Sequence, residues 1–284
     1  MIGRNATSDV LRGGAHAPGG PADVVTTLSA LERREQITSL VEAAPRVSVA
    51  ELAAQFGVTD VSIRRDLTFL EEMGLLRRVH GGAVAATREH GRNAYALRAR
   101  MAPEEKRRIG AAAAALVSQG DVVAFDSGST VAQVAANISR PLRRSNALTV
   151  VTNSLPILDE VGRWESPHLV CLGGLYLPEH QALVGPQTVA DMRGLSADIA
   201  FLGCDGLTLE TGLTTPHVLV AEVGAVIASR GRRVVVVADS SKIGRQGFTP
   251  IVPLAEVHVL VTDRGADPDQ VERVRELGIE VVLA

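Results

Sequence analysis

Residues 46–67 read RVSVAELAAQFGVTDVSIRRDL, and this stretch decides the fold of the first part of the chain. Ser48 and Glu51 form a capping box, which predicts that a short helix begins there. Gly57 ends that helix, because glycine adopts a positive φ at little cost, and Thr59 caps the next helix. Two helices joined by so tight a turn are typical of a helix-turn-helix motif.

The second helix of this motif has two distinct faces when its residues are placed about 100° apart. The apolar residues on the inner face are Ile63, Leu67 and Leu70. The polar residues on the outer face or its flank are Ser62, Arg64, Arg65 and Thr68. Arginine can bond guanine bidentately in the major groove, and hydroxyls adapt to a base or a phosphate. The outer face therefore predicts contacts with DNA.

A small hairpin is predicted after this helix, because residues 75–84 read LLRRVHGGAV. Its Gly-Gly turn lets the backbone approach a phosphate closely, so we expect the hairpin to act as a DNA-binding wing. The predicted DNA contacts are Ser48, Thr59, Ser62, Arg64, Arg65, Thr68, Arg77, Arg78, His80, Gly81 and Gly82. In the alternative interpretation, Arg64 and Arg65 form ion pairs on a solvated face with Asp66, Glu71 or Glu72.

The length of 284 residues corresponds to about two domains. Residues 1–28 are rich in Gly, Ala, Pro and Thr, which predicts a disordered leader. We expect a winged helix-turn-helix domain over residues 29–86 and an α/β domain over residues 106–284. Between them, residues 87–105 form a charged linker that either carries a hinge or extends a helix between the domains.

Charge and hydropathy exclude several classes of protein. Residues 1–100 carry a net charge of +2 and the rest of the chain −5, an asymmetry that favours a polyanionic partner for the first part. No apolar run approaches the ~20 residues of a membrane span. The first residues lack the apolar core of a signal peptide, so a soluble cytoplasmic protein is expected.

Short Val-, Ile- and Leu-rich strands alternate with helices from residue 106 onward, which predicts a parallel α/β sheet covered on both faces. Sheets of this kind bind ligands at the carboxyl ends of their strands. Five predicted strands end in Gly, hydroxyl, Asn, Asp or Lys residues. The resulting candidate ligand contacts are Asp126, Ser127, Gly128, Ser129, Thr130, Thr152, Asn153, Ser154, Gly173, Gly174, Asp205, Gly206 and Lys242.

The segment 127–130 is the predicted phosphate site, because it leads into a helix whose first backbone N–H groups are unpaired. Lys242 is one of only two lysines in the chain, and we expect it to complete that site. In the alternative interpretation these residues are ordinary turns and caps, and Lys242 pairs with Asp239 or Asp263 on the surface.

Several motifs together resemble the DeoR family of bacterial transcriptional regulators. In the first part they are IRRDL at 63–67 and GLLRRVHGGA at 74–83. In the second part they include EK at 105–106, DSGST at 126–130, VTNS at 151–154, GCDG at 203–206, AEV at 221–223 and DSSK at 239–242. The resemblance covers about residues 30–284. It adds Glu222 to the candidate ligand contacts.

The resemblance implies a repressor of carbohydrate-metabolism genes that a phosphorylated sugar or related intermediate releases from operator DNA. It also implies a sensor domain similar in fold to ribose-5-phosphate isomerase. Family members usually have Lys or Arg shortly after the AEV run, where this chain has Gly224 and Ala225. A sensor that has lost its ligand is therefore one alternative.

The other alternative is a sugar-phosphate isomerase with an appended DNA-binding module. Isomerisation needs a base, and the candidates are Glu210 and Glu222. We expect no catalytic residue, no metal and no cofactor. A single winged helix reads few base pairs, so paired half-sites and a homo-oligomer, either dimer or tetramer, are expected.

Overall fold

A computed structural model describes residues 30–44, 46–72, 75–85, 88–144 and 147–284. The predicted leader over residues 1–28 lies outside the described residues. Among the described residues from 30 to 85, three helices share a core with a small antiparallel sheet of strand order β1-β3-β2. These elements are α1 (Ala30–Ala43), β1 (Val47–Ser48), α2 (Val49–Phe56), α3 (Asp60–Glu72), β2 (Leu76–Val79) and β3 (Gly82–Ala85). The predicted helix-turn-helix and hairpin are confirmed.

The ends of α2 follow directly from the sequence. Both hydrogen bonds of the Ser48–Glu51 capping box are present, and Gly57 ends the helix at φ 62°. Helix α3 begins at Asp60, and the Thr59 hydroxyl accepts a hydrogen bond from the Ser62 backbone N–H over 3.2 Å. These caps satisfy backbone groups that a helix otherwise leaves unpaired.

The predicted linker contains a helix, α4 (Arg88–Arg100), which contacts both α3 and a helix of the second part, α6 (Ser129–Ala136). Residues 88–100 of the predicted linker are therefore helical. Ala102 separates α4 from α5 (Pro103–Ala114) and has φ 46°. Residues other than glycine seldom adopt a positive φ, and doing so costs about 1 kcal/mol or more. The junction between α4 and α5 is thus a strained connection.

A seven-stranded parallel sheet forms the centre of the second part, in the order β15-β14-β12-β9-β4-β5-β6. The strands of the second part are β4 (Val122–Phe125), β5 (Thr149–Thr152), β6 (His168–Cys171), β7 (Leu175–Leu177), β8 (Ala182–Val184), β9 (Ala197–Leu202), β10 (Gly206–Thr208), β11 (Gly212–Thr215), β12 (Gly231–Val237), β13 (Thr249–Val252), β14 (Val259–Thr262) and β15 (Glu280–Leu283). The predicted parallel α/β architecture is confirmed.

Helices cover both faces of this sheet. The remaining ones are α7 (Arg140–Arg144), α8 (Leu155–Gly162), α9 (Pro186–Arg193), α10 (Val218–Arg230) and α11 (Pro268–Glu276), with 3-10 turns at Ser240–Lys242 and Leu254–Glu256. One core layer lies under α9 and α10, and the other lies under α5, α6 and α8. The rings of Phe125 and Phe201 stack at 5.3 Å within the second layer.

Two small antiparallel sheets were not predicted. Strands β7 and β8 form a hairpin after β6, and β10, β11 and β13 form a three-stranded sheet beside the carboxyl ends of the central strands. Each strand has only three or four residues, too few for an alternating pattern to stand out. In the part of the chain that the structure describes, no helix has the length and apolar character of a membrane span.

Candidate functional site

The outer face of α3 is basic and open. Arg64 and Arg65 are exposed, and no ion pair of either is found among the described residues. Asp66 is buried instead and accepts from Arg33 Nε and Arg34 Nε, both at 2.7 Å. The alternative in which Asp66 neutralises the neighbouring arginines is therefore wrong, because α3 turns Asp66 inward toward α1.

The wing is fixed to α3 by two hydrogen bonds of Arg78. Its backbone N–H donates to Glu71 Oε1 at 2.7 Å, and its Nη1 donates to the Thr68 hydroxyl at 2.8 Å. Thr68 Oγ1 in turn donates to the Arg64 carbonyl at 2.8 Å. Thr68 therefore positions Arg78, and Arg77 is exposed on the wing without such a contact among the described residues.

Other predicted DNA contacts have structural partners of their own. Arg46 Nη2 donates to the His80 carbonyl at 2.5 Å, which holds the turn in which Gly81 has φ 74°. Gly82 is buried, and a β-carbon there would lie 2.0 Å from the Val47 carbonyl oxygen. Ser48 is occupied by its capping box. Gly82 and Ser48 thus shape the domain, whereas His80 and Gly81 remain exposed at the tip of the wing.

A cavity of about 200 Å³ lies at the carboxyl ends of β4, β9 and β12. This volume suits a small polar molecule rather than a drug-sized one. The predicted residues that line it are Asp126, Ser127, Gly128, Ser129, Thr130, Asp205 and Lys242. Lining residues that were not predicted as ligand contacts include Arg98, Lys106, His180, Thr215 and Ser241. The cavity therefore combines a helix N-terminus with several buried charges.

The loop after β4 is shaped to receive an anion. Gly128 has φ 140°, and α6 begins at the next residue, so the first N–H groups of an eight-residue helix face the cavity. A helix N-terminus carries roughly half a positive charge. Ser127 and Thr130 add hydroxyl groups that are largely buried.

Three cationic side chains are buried around this loop: Arg98, Lys106 and Lys242 are each 8% exposed or less. Lys106 Nζ lies 3.9 Å from Asp239 Oδ2. Lys242 has no salt bridge among the described residues, while Asp263 accepts hydrogen bonds from the Ser240 and Gly265 backbones. A surface pair of Lys242 with Asp239 or Asp263 is thus not what the structure contains.

Asp126 lies in the cavity with one carboxyl oxygen unsatisfied. It is 1% exposed, and its Oδ1 is buried without a hydrogen-bond partner among the described residues. Burial raises the pKa of Asp126 to about 7. Gly224 of α10 packs beside it, since a β-carbon there would lie 3.5 Å from Asp126 Oδ2. An unpaired buried carboxyl is costly unless a ligand satisfies it.

Asp205 and His180 in the cavity also have shifted pKa values. Burial alone would raise the pKa of Asp205, but the charges of Arg98 and Lys242 outweigh it, so that pKa lies below its ordinary value. Asp205 also accepts from Thr215 Oγ1 at 2.8 Å. Burial, assisted by the charge of Arg98, lowers the pKa of His180 to about 3, so its ring is neutral at pH 7.

The prediction that five strand ends share one pocket needs correction for β5 and β6. Thr152, Asn153 and Ser154 are fully buried outside the cavity lining. Thr152 Oγ1 donates to the Phe125 carbonyl at 2.8 Å, and Asn153 Nδ2 donates to the Leu183 carbonyl at 2.9 Å. The sheet order puts β5 and β6 to one side, where these residues hold β4 and the β7–β8 hairpin.

Four more predicted contacts also lie outside the cavity lining. Gly173 accepts from Thr188 through its carbonyl, and Gly174 has φ 149° against the same side chain. Gly206 pairs with Thr214 at the start of β10. Glu222 is exposed and lines a separate groove between α9 and α10. These positions serve packing and turns, or face solvent.

One signal in the sequence could have found Lys106. It and Lys242 are the only lysines of the chain, and both lie in this cavity. Arg98 and His180 give no such signal, because arginine is common in this chain and His180 sits in the turn between β7 and β8.

Comparison with known proteins follows the same division of the chain. A family model of the DeoR-like helix-turn-helix domain matches residues 33–89, and a model of the DeoR C-terminal sensor domain matches residues 101–264. The chain belongs to the DeoR family. As a DeoR-family member it is a transcriptional regulator with a DNA-binding helix-turn-helix domain and a sensor domain.

Curated relatives cover nearly the whole chain. The HTH-type transcriptional regulator GlpR of Haloferax volcanii is 35% identical over 88% of this DeoR-family chain and 96% of its own. The transcriptional repressor AccR of Agrobacterium fabrum is 32% identical over 84% and 91%, respectively. Among solved structures, ribose 5-phosphate isomerase A of Methanocaldococcus jannaschii has a TM-score of 0.37 and 21% identity over 50% of this chain and 54% of that one. A likeness at that level says nothing about activity.

Proposed function

We propose that the chain represses genes of carbohydrate metabolism and leaves its operator when a phosphorylated sugar or related intermediate binds the cavity at β4, β9 and β12. The observation that carries this proposal is the combination of an anion-binding helix N-terminus with the buried cation Lys242 and the unsatisfied carboxyl of Asp126. The anion site suits a phosphate, and Asp126 and Asp205 suit sugar hydroxyls.

A thermal-shift screen of the full chain against pentose and hexose phosphates at fixed ionic strength tests this function. A ligand that binds only the native state raises its apparent stability. We expect at least one sugar phosphate to raise the unfolding temperature, and its unphosphorylated sugar to have a much smaller effect. If no phosphorylated sugar raises the unfolding temperature, the proposal is contradicted. The alternative of a sensor that has lost its ligand is then favoured.

The remaining functional inferences rest on the same observations. The isomerase candidates Glu210 and Glu222 are exposed and lie outside the cavity lining, which supports a regulator without catalytic activity. We expect no isomerisation of any sugar phosphate that binds, measured with the purified chain. We also infer a homo-oligomer, because operator recognition by one winged helix per subunit needs paired half-sites. A cytoplasmic location is inferred from the proposed binding to operator DNA.

The switch predicts reciprocal coupling between the two ligands. If the sugar phosphate favours the form that does not bind DNA, then operator DNA must weaken sugar-phosphate binding by the same factor. We expect a factor of about 5–150, the usual range for such coupling. Fluorescence anisotropy of labelled operator with and without ligand gives one factor, and ligand titration with and without operator gives the other. A ligand that binds tightly and leaves operator affinity unchanged would disprove the switch.

Arg65→Ala is expected to weaken operator binding by about 1–3 kcal/mol and to relax base specificity at one position. Arg65 is exposed opposite the buried Ile63, and no ion pair of Arg65 is found among the described residues.

Arg77→Ala on the wing should weaken binding to all DNA sequences alike and lower the slope of log affinity against log salt concentration by about one.

Anisotropy titrations at several salt concentrations measure both arginine variants. Arg163→Ala is the matched control, because Arg163 is exposed in the sensor domain and pairs with Asp159. Unchanged operator affinity of Arg65→Ala at fixed salt would exclude a base contact by this residue.

A further inference from the structure

We propose that the sensor domain adds a DNA contact of its own: Arg245, on the loop after Lys242, binds the phosphate backbone of DNA beside helix α3. Arg245 is distant from the helix-turn-helix in the sequence, but its guanidinium carbon lies 4.6 Å from the centre of the Phe69 ring in α3. Such a contact requires only that α3 reads DNA, and it is independent of which molecule the cavity binds.

Arg245 borders a cleft that runs along the DNA-reading face of α3. Arg64, Arg65 and Thr68 of α3 line this cleft together with Arg34 of α1 and Arg245 of the sensor domain. Four arginines from three separate segments of the chain thus converge beside the helix that carries the predicted base contacts. A concentration of positive charge of this kind attracts a polyanion such as the phosphate backbone of DNA.

The ring under Arg245 lies where a DNA backbone would pass. Phe69 follows Arg65 by one helical turn and lies on the flank of α3, at the border of its outer face. When a helix lies in the major groove, its outer face meets the base edges, and its flanks face the phosphate backbones that border the groove. Arg34 also stacks on this ring, at 4.1 Å, but its Nε is bonded to the buried Asp66 at 2.7 Å. Arg245 is therefore the cation that the sensor domain brings to this edge.

The loop that carries Arg245 is fixed to the sensor domain. The Gly244 backbone N–H donates to the Leu207 carbonyl at 2.8 Å, and the Gly247 backbone N–H donates to the Thr214 hydroxyl at 2.7 Å. These bonds join the loop to β10 and β11 on both sides of Arg245. A group that is already held in place loses less conformational entropy when it binds a partner.

The sign of the charge favours a loop that joins DNA on α3 over a loop that blocks it. A segment that blocks a DNA-reading face has to replace a polyanion, and acidic residues do so best, because they pair with its exposed arginines. Arg245 has the same charge as Arg64 and Arg65. Its contact with Phe69 uses the face of the guanidinium, whereas the N–H donors lie in the plane of that group. A stacked arginine can therefore also bind a phosphate.

The test measures the affinity of the full chain for a labelled DNA duplex of mixed sequence, several helical turns long, over a series of salt concentrations. Phosphate contacts carry no sequence information, so this probe detects them without knowledge of the operator. Arg245→Met keeps the apolar stem and removes the charge, and Arg245→Lys keeps the charge. Gln246→Glu places a negative charge on the exposed next residue. Arg163→Met is the matched control, because Arg163 is exposed elsewhere in the sensor domain and pairs with Asp159.

We expect Arg245→Met to bind the duplex several-fold more weakly at low salt. The slope of its log affinity against log salt concentration should fall by about one, as for the loss of one phosphate contact. Arg245→Lys should retain the wild-type slope, Gln246→Glu should bind more weakly at low salt, and Arg163→Met should match the wild type. Because Gln246→Glu changes an exposed side chain, it decides the outcome if Arg245→Met does not fold.

Three results would overturn this contact. The first is a wild-type slope in Arg245→Met together with wild-type affinity in Gln246→Glu. The second is an equal fall in slope in Arg245→Lys and Arg245→Met, which would mean that Arg245 acts by packing on Phe69. The third is tighter DNA binding by Arg245→Met, which would mean that the loop covers α3 in competition with DNA.

Discussion

Lys242→Met is expected to abolish the response to phosphorylated sugars while the protein still folds and binds its operator. Lys242 is 8% exposed, lines the cavity and has no salt bridge among the described residues. In the proposed complex Lys242 pairs with the phosphate of the bound sugar, and removing one partner of a buried, hydrogen-bonded charge pair costs roughly 2–5 kcal/mol. The loss corresponds to about a 30-fold or greater weakening of ligand binding. The measurement is the ligand concentration that releases labelled operator, followed by anisotropy.

Two variants control for the loss of a positive charge as such. Arg232→Met removes an exposed guanidinium that pairs with Asp198 at the amino ends of the central strands, far from the cavity along the sheet. It should respond to ligand like the wild type. Lys242→Arg keeps the charge in a wider group and should retain part of the response. Release of operator from Lys242→Met at wild-type ligand concentrations would mean that the phosphate binds elsewhere.

The winged helix could be predicted closely because its signals are local. The capping box of Ser48 and Glu51, the positive φ at Gly57 and the inner face of α3 each depend on residues a few positions apart. Burial of Asp66 could not be predicted in this way, because its partners Arg33 and Arg34 lie more than thirty residues earlier in the chain. From the sequence alone, a charged residue on a helix is predicted to face solvent, because its distant partners are not known.

The sensor domain could be predicted as a parallel sheet but not in its strand order. The sequence places polar residues after five strands, and only the order of the strands decides which ends are neighbours. In the observed order β12, β9, β4, β5 and β6 lie side by side, so the ends of the first three form the cavity. Crossover connections of similar length fit several orders, and for that reason the sequence predicts Asn153 and Gly174 as ligand contacts although they lie outside the cavity lining.

The cationic residues of the cavity could likewise be predicted only in part, because they are brought together from distant parts of the sequence. Lys242 follows a predicted strand and was found by its position, whereas Lys106 lies in a helix and Arg98 in the linker. These three residues are up to 144 positions apart in the sequence, from 98 to 242. A composition in which lysine is rare points to Lys106, but an arginine in a charged linker has no local feature that separates a buried residue from a solvated one.

Asp126→Asn is expected to change how the stability of the sensor domain depends on pH. The ordinary pKa of 3.8 is raised by burial to about 7, and the nearby Asp205 acts in the same direction. Between about pH 4 and pH 7, the carboxyl of Asp126 is therefore protonated in the folded state and ionised in the unfolded chain. The contribution of this carboxyl to the free energy of unfolding is highest below pH 4 and falls by about 1.4 kcal/mol per pH unit toward pH 7.

Asparagine cannot ionise, so this fall in the free energy of unfolding with rising pH is absent from Asp126→Asn. Its free energy of unfolding relative to the wild type should rise by about 1.4 kcal/mol per pH unit between pH 4 and 7, a total of roughly 3–5 kcal/mol, and then stay constant. Urea unfolding at pH 5, 6, 7 and 8 measures this difference through Trp164, the single tryptophan, which is buried in the sensor domain. Asp159→Asn removes an exposed carboxylate on α8 and is the matched control. Parallel curves for Asp126→Asn and the wild type would show that Asp126 is ionised in the folded protein at all these pH values, and that it does not offer a protonated carboxyl to the cavity at neutral pH.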